Sequence, residues 1–355
     1  MDLLENLIVL SEKAARIARL IRKDEHLFRL LVEQKKPDEA NPRFVDDFKT
    51  LADVLIQQMI KYFLELRFPG IAERVRGEEN NTFRNTLGQE ITVEIKKTLQ
   101  ETADLLRIIL NGDSTAAYLL AEEVHRHVDI RDVNTKRVEY DWWMDLQEIG
   151  IWIDPIDSTA EYINASEDSS GEGQSGLNCV TILIGAYDIG TGEAVLGVVN
   201  QPFCSNVDNC WKGECTWGVS YNSTKINSLN TPPTRSHCAY LSSSEDEAVK
   251  TRLINKGYII KEAPGAGNKI LKVIKGQGDC YVLSKSTTFK WDTCGPQAIL
   301  KSLGGDIVSY SEALENRIVS LKYPHDVEGK SGTSNGGGLL AFRMPEILED
   351  FIEEK

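Results

Sequence analysis

The sequence lacks an apolar run long enough to cross a bilayer, and its first residues lack a basic segment followed by an apolar core. A membrane-spanning helix needs about 20 consecutive apolar residues, and a secretory signal needs both of those segments. We therefore expect no membrane partner and a cytoplasmic location.

Cysteine is sparse, with seven residues in 355, an odd number without the spacing of a disulfide framework. Cys210 and Cys215 lie close together, but no second Cys or His pair follows at the distance typical of a zinc site. Disulfide frameworks are typical of small secreted proteins. We therefore expect reduced thiols.

Basic residues are outnumbered, with 40 Lys and Arg against 54 Asp and Glu, which gives a formal net charge of −14. A nucleic-acid interface needs a basic surface, so this charge argues against a nucleic-acid partner. An acidic protein can bind a polyanion where metal cations lie between the two. The charge therefore directs attention to clustered carboxylates.

The order of the hydrophobic patterns predicts two halves. Helical periodicity dominates the first third, short apolar runs typical of strands follow, and strands and helices alternate from residue 239. The predicted helices are 4–18, 45–68, 98–110, 114–127, 245–255, 268–275 and 295–303, and the strands before the alternating part are 151–153, 179–187 and 194–200, with a hairpin at 211–221. We expect an α+β domain at residues 1–226 and an α/β domain at residues 236–355, with a proline-containing linker between them.

The most informative segment is Asp154-Pro155-Ile156-Asp157-Ser158-Thr159, which follows a predicted buried strand. Two carboxylates three residues apart, with a carbonyl between them, offer the all-oxygen ligands that magnesium prefers. Pro155 is poorly suited to continue a strand, and Ser158 and Thr159 are typical of a helix start, where free N–H groups face an anion. The alternative is that Asp157 is only a helix cap and Asp154 a turn residue.

Two further acidic sites strengthen the metal interpretation. Glu78 and Glu79 follow a short apolar patch and are carboxylates that no helical pattern explains, and Asp292 precedes a predicted helix after a strand. Asp53 lies inside a predicted helix, where a solvated surface acid is the simpler interpretation on its own.

Small residues at Gly265-Ala266-Gly267-Asn268-Lys269 open a predicted helix, so backbone N–H groups and a lysine there suit a phosphate. The alternative to a phosphate site is that this segment is a plain turn. Residues 242–244 also lie between a strand and a helix, and the alternative for them is a plain N-cap.

His125 and His127 with Glu122 and Glu123 resemble a metal cluster, but we interpret them as solvated surface. The mobile-looking, glycine-rich loop at 166–176 lacks the ending of a phosphate-binding loop, and no serine or cysteine nucleophile motif is present.

Five motifs follow one another along the chain: Asp53 at the end of D-F-K-T-L-A-D, Glu78-Glu79, D-P-I-D-S-T, F-K-W-D and Gly304-Gly305. Together and in this order, they resemble the lithium-sensitive, magnesium-dependent phosphatases. That superfamily includes inositol monophosphatases, fructose bisphosphatases and 3′-phosphoadenosine phosphatases. The chain looks most similar to the members that act on inositol polyphosphates. The resemblance spans most of the chain and implies a layered αβαβα sandwich, with the site between its two halves.

The resemblance also implies the roles of individual residues. Metal ligands are implied at Glu78, Asp154, the Ile156 carbonyl, Asp157 and Asp292, with Glu79 completing or supporting a second metal. Asp53 and Thr159, hydrogen-bonded together, are implied to orient the attacking water, with Glu78 also in the catalytic set. Substrate contacts are implied at Asp157, Ser158, Thr159, Ser244, Gly265, Ala266 and Lys269.

The implied reaction is in-line attack of water on a phosphate monoester, with two or more Mg²⁺ ions as cofactors and Li⁺ as an inhibitor. The implied substrates are the 1-phosphates of inositol 1,4-bisphosphate and inositol 1,3,4-trisphosphate, and we favour a monomer. One departure is Asp246, where the resemblance calls for a basic residue two places after Ser244. The alternatives are a nucleotidase acting on 3′-phosphoadenosine 5′-phosphate and a catalytically silent regulator that binds inositol phosphates.

Overall fold

A computed structural model describes residues 2–24, 27–28, 32–34, 48–85, 87–138, 143–165, 175–208, 210–230, 232, 234–325 and 329–352. Most of the glycine-rich loop predicted at 166–176 and the start of the helix predicted at 45–68 lie outside these residues. Within the described ranges, every helix is too short or too polar to span a membrane. All seven cysteines are free thiols, as predicted.

The first half begins with helices whose ends carry local caps. The helices are α1 (Leu3–Lys23), α2 (Leu51–Arg67), α3 (Leu99–Ile109) and α4 (Ser114–His125). Asp2 caps α1, and the Thr50 hydroxyl and the Asp53 carboxylate cap each other's backbone at the start of α2. Each cap satisfies N–H groups that have no partner inside the helix.

The first large sheet is mixed, with the strand order β10-β9-β8-β7-β6-β3. Its strands are β3 (Val75–Gly77), β6 (Ile149–Asp157), β7 (Thr181–Asp188), β8 (Ala194–Val207), β9 (Cys210–Tyr221) and β10 (Thr224–Asn227). Only the β3–β6 pair in this sheet is parallel. Two small antiparallel pairs lie outside it, β1 (Val32–Gln34) with β2 (Phe48–Thr50) and β4 (Thr82–Arg84) with β5 (Glu90–Thr92). The short helix α5 (Thr159–Asn164) follows β6.

The second sheet has the order β12-β11-β13-β15-β14. Its strands are β11 (Cys238–Leu241), β12 (Ile259–Glu262), β13 (Cys280–Leu283), β14 (Asp306–Val308) and β15 (Leu339–Phe342). The helices of this half are α6 (Glu247–Asn255), α7 (Ala266–Ile274), α8 (Lys290–Ser302), α9 (Tyr310–Leu314) and α10 (Gly329–Thr333). Because β11, β12 and β13 are parallel, the segments after them lie at one edge of the sheet.

Alternation along the strands explains the five layers. On β7, Ile182 and Ile184 pack with α1 and α2, whereas Leu183 packs with α7 and α8 on the other face. On β13, Tyr281 faces α7 and α8, and Val282 faces the outer layer with α6 and α9. The order is therefore helix, sheet, helix, sheet, helix, and the predicted αβαβα sandwich is confirmed.

A stripe of glycines lets α8 lie directly on the first sheet. Gly185, Gly197 and Gly218 are register neighbours on β7, β8 and β9. A Cβ atom on Gly197 would lie 1.9 Å from the carbonyl oxygen of Gly295 in α8. Helix and sheet backbones approach this closely only because side chains are missing there, and this contact sets how closely α8 packs on the sheet.

Several predicted boundaries were wrong. The helix predicted from residue 45 begins at Leu51, because Phe48–Thr50 is a strand and Thr50 is its cap. The strand before Asp154 continues to Asp157, and residues 211–221 form part of one strand, not a hairpin. The helix predicted from residue 295 begins at Lys290. The two-domain division stays a prediction, since the sheets separate near residue 230 but share the core around α7 and α8.

Candidate active site

Three aspartates from two distant parts of the chain meet at the edge of the first sheet. Asp154 and Asp157 come from β6 and Asp292 from the first turn of α8, and their side-chain oxygens lie within 4.8 Å of one another. The three residues are 2 %, 7 % and 8 % exposed. We call these residues the acidic cluster.

The end of β6 is shaped by a register shift. Asp154 pairs with Leu183 and Asp157 with Thr181, so the intervening Pro155 and Ile156 form an irregularity in the ladder. Ser158 then takes the left-handed conformation, with a φ of 73°, before α5 begins. A non-glycine residue in this region is uncommon and costs free energy, which is typical of a site where geometry is imposed by function.

Asp292 lies inside α8, at its third residue, not before the helix as predicted. Its Oδ2 accepts a hydrogen bond of 2.6 Å from the backbone N–H of Phe289. The same carboxylate therefore caps the helix and faces the acidic cluster. Its position depends on the glycine contact that seats α8 on the sheet.

Glu78 and Glu79 reach the site through the parallel strand β3. The backbone N–H of Glu78 donates to the Ile153 carbonyl at 3.1 Å, which extends the β3–β6 pairing to the residue before Asp154. The Gln57 side chain of α2 accepts from the N–H of Glu79 at 3.0 Å and donates to its carbonyl. Both glutamates are half-buried, and the Glu78 charge is near enough to affect all three aspartates.

Burial and like charge oppose ionisation of the acidic cluster. Burial, then the charges of Glu78 and Asp157, raise the pKa of Asp154 well above its usual value. Burial followed by the charge of Asp157 does the same for the pKa of Asp292. Burial also raises the pKa of Asp157, opposed by the Lys269 ammonium and the Thr181 hydroxyl. A cation bound among these oxygens would reverse these effects.

One aspartate oxygen is left without a partner. Asp154 Oδ1 is fully buried and makes no hydrogen bond within the described part of the chain. Leaving a buried acceptor unpaired costs about 1–3 kcal/mol, and more for a charged one. The donor set is all oxygen, which suits a hard divalent cation such as Mg²⁺.

The glycine segment lies against the end of β6. A Cβ on Gly265, which has a φ of +76°, would lie 2.1 Å from Ser158 Oγ. The N–H of Gly267, in the first turn of α7, donates to Asp157 Oδ2 at 3.0 Å, and Thr181 donates to the same oxygen at 3.0 Å. Ser158 Oγ is buried and unpaired among the described atoms. The segment is therefore part of the site, not a remote turn.

Asp53 and Thr159 are each held by a near neighbour. Asp53 is 1 % exposed, so the surface interpretation of this residue was wrong, and its Oδ2 accepts from the N–H and hydroxyl of Thr50 at 2.7 Å each. The Thr159 hydroxyl donates to the Ile156 carbonyl at 3.0 Å. The Asp53 charge acts on Asp154. A direct Asp53–Thr159 hydrogen bond and a metal-ligating Ile156 carbonyl stay predictions.

The predicted substrate residues Lys269 and Ser244 differ in exposure. Lys269 is 0 % exposed; its ammonium donates to the Ala263 carbonyl at 3.0 Å and lies over the Tyr281 ring. Ser244 is exposed after β11, and its carbonyl accepts from Lys285. A direct contact of Lys269 with substrate stays a prediction, and its charge reaches the site through Asp157.

Sequence reasoning missed the supporting residues. Lys285, after β13, forms a salt bridge of 3.1 Å with Asp246. A cation is therefore present beside the position where the expected pattern has a basic residue and this chain has Asp246. Gln57 lies one helical turn after Asp53 on α2, and this spacing was the one local signal available for it. Lys285 and Thr181 had no such signal, because their partners are distant in sequence.

The histidine-containing segment at the end of α4 contacts α3 through His125. His125 Nε2 lies 2.9 Å from the Thr102 hydroxyl, and the residue is half-buried. We expected a solvated surface residue, so the interpretation of His125 was wrong. Among the residues that the structure describes, the acidic cluster is the one group of three with metal-ligand geometry.

Comparisons with known proteins identify the family to which the chain is similar. A family model described as the inositol monophosphatase family matches residues 3–332. The inositol polyphosphate 1-phosphatase of Mus musculus is 43 % identical over 99 % of the chain and 96 % of its own length. The 3′(2′),5′-bisphosphate nucleotidase 1 of Homo sapiens is 29 % identical over 58 % of the chain and 64 % of its own length.

A solved IMPase/NADP phosphatase complexed with Mg²⁺ and phosphate has the same fold. It superposes with a TM-score of 0.52 at 13 % identity, over 96 % of this chain and 92 % of that one. At this identity the likeness concerns the fold alone.

Proposed function

The chain belongs to the inositol monophosphatase family and is a phosphatase, and from that premise we propose that it removes the 1-phosphate of inositol 1,4-bisphosphate and inositol 1,3,4-trisphosphate, with Mg²⁺ as cofactor and Li⁺ as inhibitor. The observation that carries the proposal is the acidic cluster, whose buried carboxylates need a cation. The full-length similarity to an inositol polyphosphate 1-phosphatase supports the substrate class.

The residues present fit magnesium. Asp154, Asp157, Asp292 and Glu78 would hold it, with Glu79 and the Ile156 carbonyl as further oxygen donors. Bound magnesium supplies Lewis acidity to the phosphoryl group and lowers the pKa of water. The unpaired Asp154 Oδ1 and the raised pKa values of the cluster support this assignment.

The chain's own residues would position the substrate and the water. Asp53 and Thr159 lie at the starts of α2 and α5 and would orient the water for in-line attack. Ser158 and the segment Gly265–Ala266 would receive the phosphate, because the unpaired Ser158 hydroxyl and the first N–H groups of α7 are donors. No protein nucleophile is needed for this reaction.

Lys285 would bind the second phosphate of the substrate. It lies 38 % exposed beside Ser244, at the edge of the second sheet that also carries Gly265. A lysine there supplies the point charge that a distal phosphate requires. The proposed second phosphate therefore has a cation despite Asp246.

The nucleotidase alternative is less well supported, because its similarity covers little more than half of the chain. The silent-regulator alternative is also disfavoured, since the acidic residues expected of the enzyme are brought together.

The test is phosphate release in Mg²⁺ from inositol 1,4-bisphosphate and from 3′-phosphoadenosine 5′-phosphate, each with and without Li⁺. We expect lithium-sensitive turnover of the inositol substrate. Preference for the nucleotide would overturn the substrate assignment and leave the metal assignment standing, whereas no turnover of either would favour the regulator. Asp53→Asn is expected to reduce turnover sharply while leaving the fold intact.

Metal binding can be measured without activity. Ligand present at about a hundred times its Kd stabilises a protein by about 2.7 kcal/mol. We therefore expect Mg²⁺ to raise the melting temperature of EDTA-treated protein, and Asp292→Asn to reduce this shift. An equal shift in both proteins would place the magnesium elsewhere.

A further inference from the structure

A second concave site lies away from the acidic cluster. It is a cavity of about 380 Å³ between the last turns of α1, the end of α4 and the tip of the β8–β9 hairpin. Its cationic lining is Arg16, Arg19, Arg22, Lys23 and Arg126, against the single carboxylate of Glu123. We call it the basic pocket. Such a concentration of positive charge is unexpected in a chain with a net charge of −14.

Two elements bring the cations together. Arg16, Arg19 and Lys23 recur at spacings of three and four in α1, so they share one side of that helix. Arg126 follows directly after α4 and faces them across the pocket. Trp211, held edge-on against Phe203 at 5.6 Å, gives the pocket an aromatic wall.

The carboxylates nearby compensate only part of this charge. Glu12 accepts from Arg19 at 2.6 Å and from Arg16 at 3.5 Å, so one carboxylate serves two guanidinium groups. Arg126 pairs with Glu123 at 3.2 Å and with the exposed Glu122 at 3.7 Å. Among the residues that the structure describes, an excess of positive charge remains at the pocket.

The other two cations are presented differently. Arg22 donates to the Ala165 carbonyl and lies 4.7 Å over the Phe28 ring, and Lys23 is exposed. Favourable interaction with the end of a helix accounts for cations in its last turn. That effect explains Arg22, Lys23 and also Arg126, which directly follows α4, but not Arg16 or Arg19.

The basic pocket is separate from the acidic cluster, and none of the cluster's residues lines it. The helix α5 links the two sites, because it begins at Thr159, two residues after Asp157, and Ala165 directly after it accepts a hydrogen bond from Arg22 of the basic pocket.

We propose that the basic pocket binds a small molecule carrying two or more phosphate groups, at a site distinct from the acidic cluster. Guanidinium groups present paired N–H donors that match phosphate oxygens, and several arranged around one cavity suit several phosphates. The volume lies in the range of small-molecule sites, and Trp211 offers a face for a ring. The inference does not rest on the proposed catalytic function.

The test is calorimetric titration of the full chain with inositol hexakisphosphate in EDTA, where the uncompensated acidic cluster repels the probe. We expect binding that weakens as ionic strength rises from about 0.01 to about 0.15 M, because screening shortens the range of charge interactions. The double variant Lys23→Gln/Arg126→Gln should weaken binding about tenfold or more, the equivalent of losing one charge-assisted hydrogen bond. Both side chains are exposed enough for the fold to tolerate the change.

The matched control is Lys97→Gln/Lys256→Gln, which removes the same charge from exposed positions outside the pocket. It should bind like the unmodified chain. Equal weakening in both double variants would overturn the proposal, as would absence of binding of the unmodified chain both to this probe and to vesicles that contain phosphatidylinositol 4,5-bisphosphate. Should the first variant fail to fold, Arg16→Gln/Lys23→Gln tests the same pocket.

A second arm distinguishes a soluble ligand from a lipid headgroup. Phosphatidylcholine vesicles with and without phosphatidylinositol 4,5-bisphosphate are sedimented with the protein. Binding of the free probe alone assigns a soluble polyphosphate, and pocket-dependent binding to the phosphoinositide vesicles assigns a headgroup. Both support the phosphate chemistry, whereas binding to neither contradicts it.

Discussion

The acidic cluster and the basic pocket each concentrate one sign of charge, but at different depths. The aspartates of the cluster are 2–8 % exposed. In the basic pocket the side chains of Arg19, Arg16 and Arg126 are 17 %, 27 % and 50 % exposed. Arg16, Arg19 and Arg126 of the pocket are partly solvated and paired with carboxylates, whereas Asp154 keeps an oxygen without a partner in the described structure.

This difference separates two kinds of charged site. Burial makes uncompensated charge expensive, so the cluster needs either protons or a cation, and the raised pKa values of Asp154 and Asp292 express that cost. Solvent screening lets the pocket hold its charge at little cost. Without a ligand, the acidic cluster therefore lowers the stability of the folded state, whereas the basic pocket does not.

The largest expected effect comes from neutralising the cluster with Asp154→Asn. We expect activity to fall on the order of a thousandfold, the upper range for removing one preorganised electrostatic group. Because burial raises the pKa of Asp154 in the folded state, its ionisation costs stability above its ordinary pKa of 3.8. In EDTA at pH 7 the variant should therefore melt roughly 2–4 °C higher.

Asp104→Asn, at an exposed position of α3, is the control and should leave both quantities unchanged. A lower melting temperature for Asp154→Asn in EDTA would show that the cluster is not electrostatically strained.

The next largest effect should alter the acidic cluster but not the basic pocket, because different helices position the two sites. Gly197→Ala places a Cβ 1.9 Å from the Gly295 carbonyl oxygen, so α8 and Asp292 must shift. Overpacking of this kind costs about 1–3 kcal/mol. Urea unfolding and turnover should both show the loss, whereas binding of inositol hexakisphosphate to the basic pocket should persist, because α1 packs on the opposite face of the sheet.

Gly190→Ala is the matched substitution, since its Cβ meets only Asp188 Oδ1 at 3.5 Å. Full activity of Gly197→Ala would remove the close glycine contact from the account of how Asp292 is positioned.

A smaller effect concerns the cation beside the acidic site. Lys285→Gln should raise the KM for inositol 1,4-bisphosphate about tenfold, as expected for the loss of one charge-assisted hydrogen bond, with little change in kcat. Inositol 1-phosphate, which lacks the second phosphate, should be unaffected. Lys256→Gln provides the exposed control, and equal effects on both substrates would contradict the assigned role.

The smallest effect tests burial of a cation next to the basic pocket. Burial lowers the pKa of Lys13 from 10.5 to about 8, opposed by Glu123 and assisted by Arg16, and its ammonium donates to the Arg126 carbonyl at 2.5 Å. The unfolded chain therefore holds this proton between about pH 8 and pH 10.5 while the folded chain has released it. The contribution of Lys13 to stability should rise with pH across that window.

Urea unfolding at pH 7 and pH 9.5 compares the chain with Lys13→Met, which keeps the apolar stem and cannot titrate. The stability of the original chain relative to the variant should increase at the higher pH. An unchanged difference would show that Lys13 is solvated, like the cations that line the pocket.

Local patterns predicted the parts of the fold that local interactions stabilise. The helical periodicity of the first third of the sequence placed α1 and α3 within a few residues. The wrong boundaries lie where a local turn preference competes with strand pairing. Pro155 suggested an early end to β6, but the register shift accommodates it, and Lys212-Gly213 suggested a turn that the pairing of β8 with β9 overrides. Pairing energy from a neighbouring strand outweighs weak turn preferences.

The candidate site shows the same limit. Asp154 and Asp157 were predictable as a pair because of their close spacing in the sequence. Glu78 and Asp292 were recognised as further acidic positions, and the family resemblance implied that they are metal ligands. Asp53 by itself was indistinguishable from a surface acid, since helical spacing does not reveal what packs over a helix. Lys285, Thr181 and Gln57 were missed because their contacts cross between elements.

The sequence by itself determined the ligand chemistry of this protein, an all-oxygen set in an acidic chain, together with the caps and the strand alternation that define its layers. Only the tertiary structure decided that Asp292 joins Asp154 and Asp157, that Lys285 stands beside Asp246, and that α1 and α4 share a basic pocket. The physical reason is distance along the chain. Caps and periodicity act between residues a few positions apart, whereas these contacts form only when the packing of whole helices and sheets offsets the entropy of bringing remote segments together.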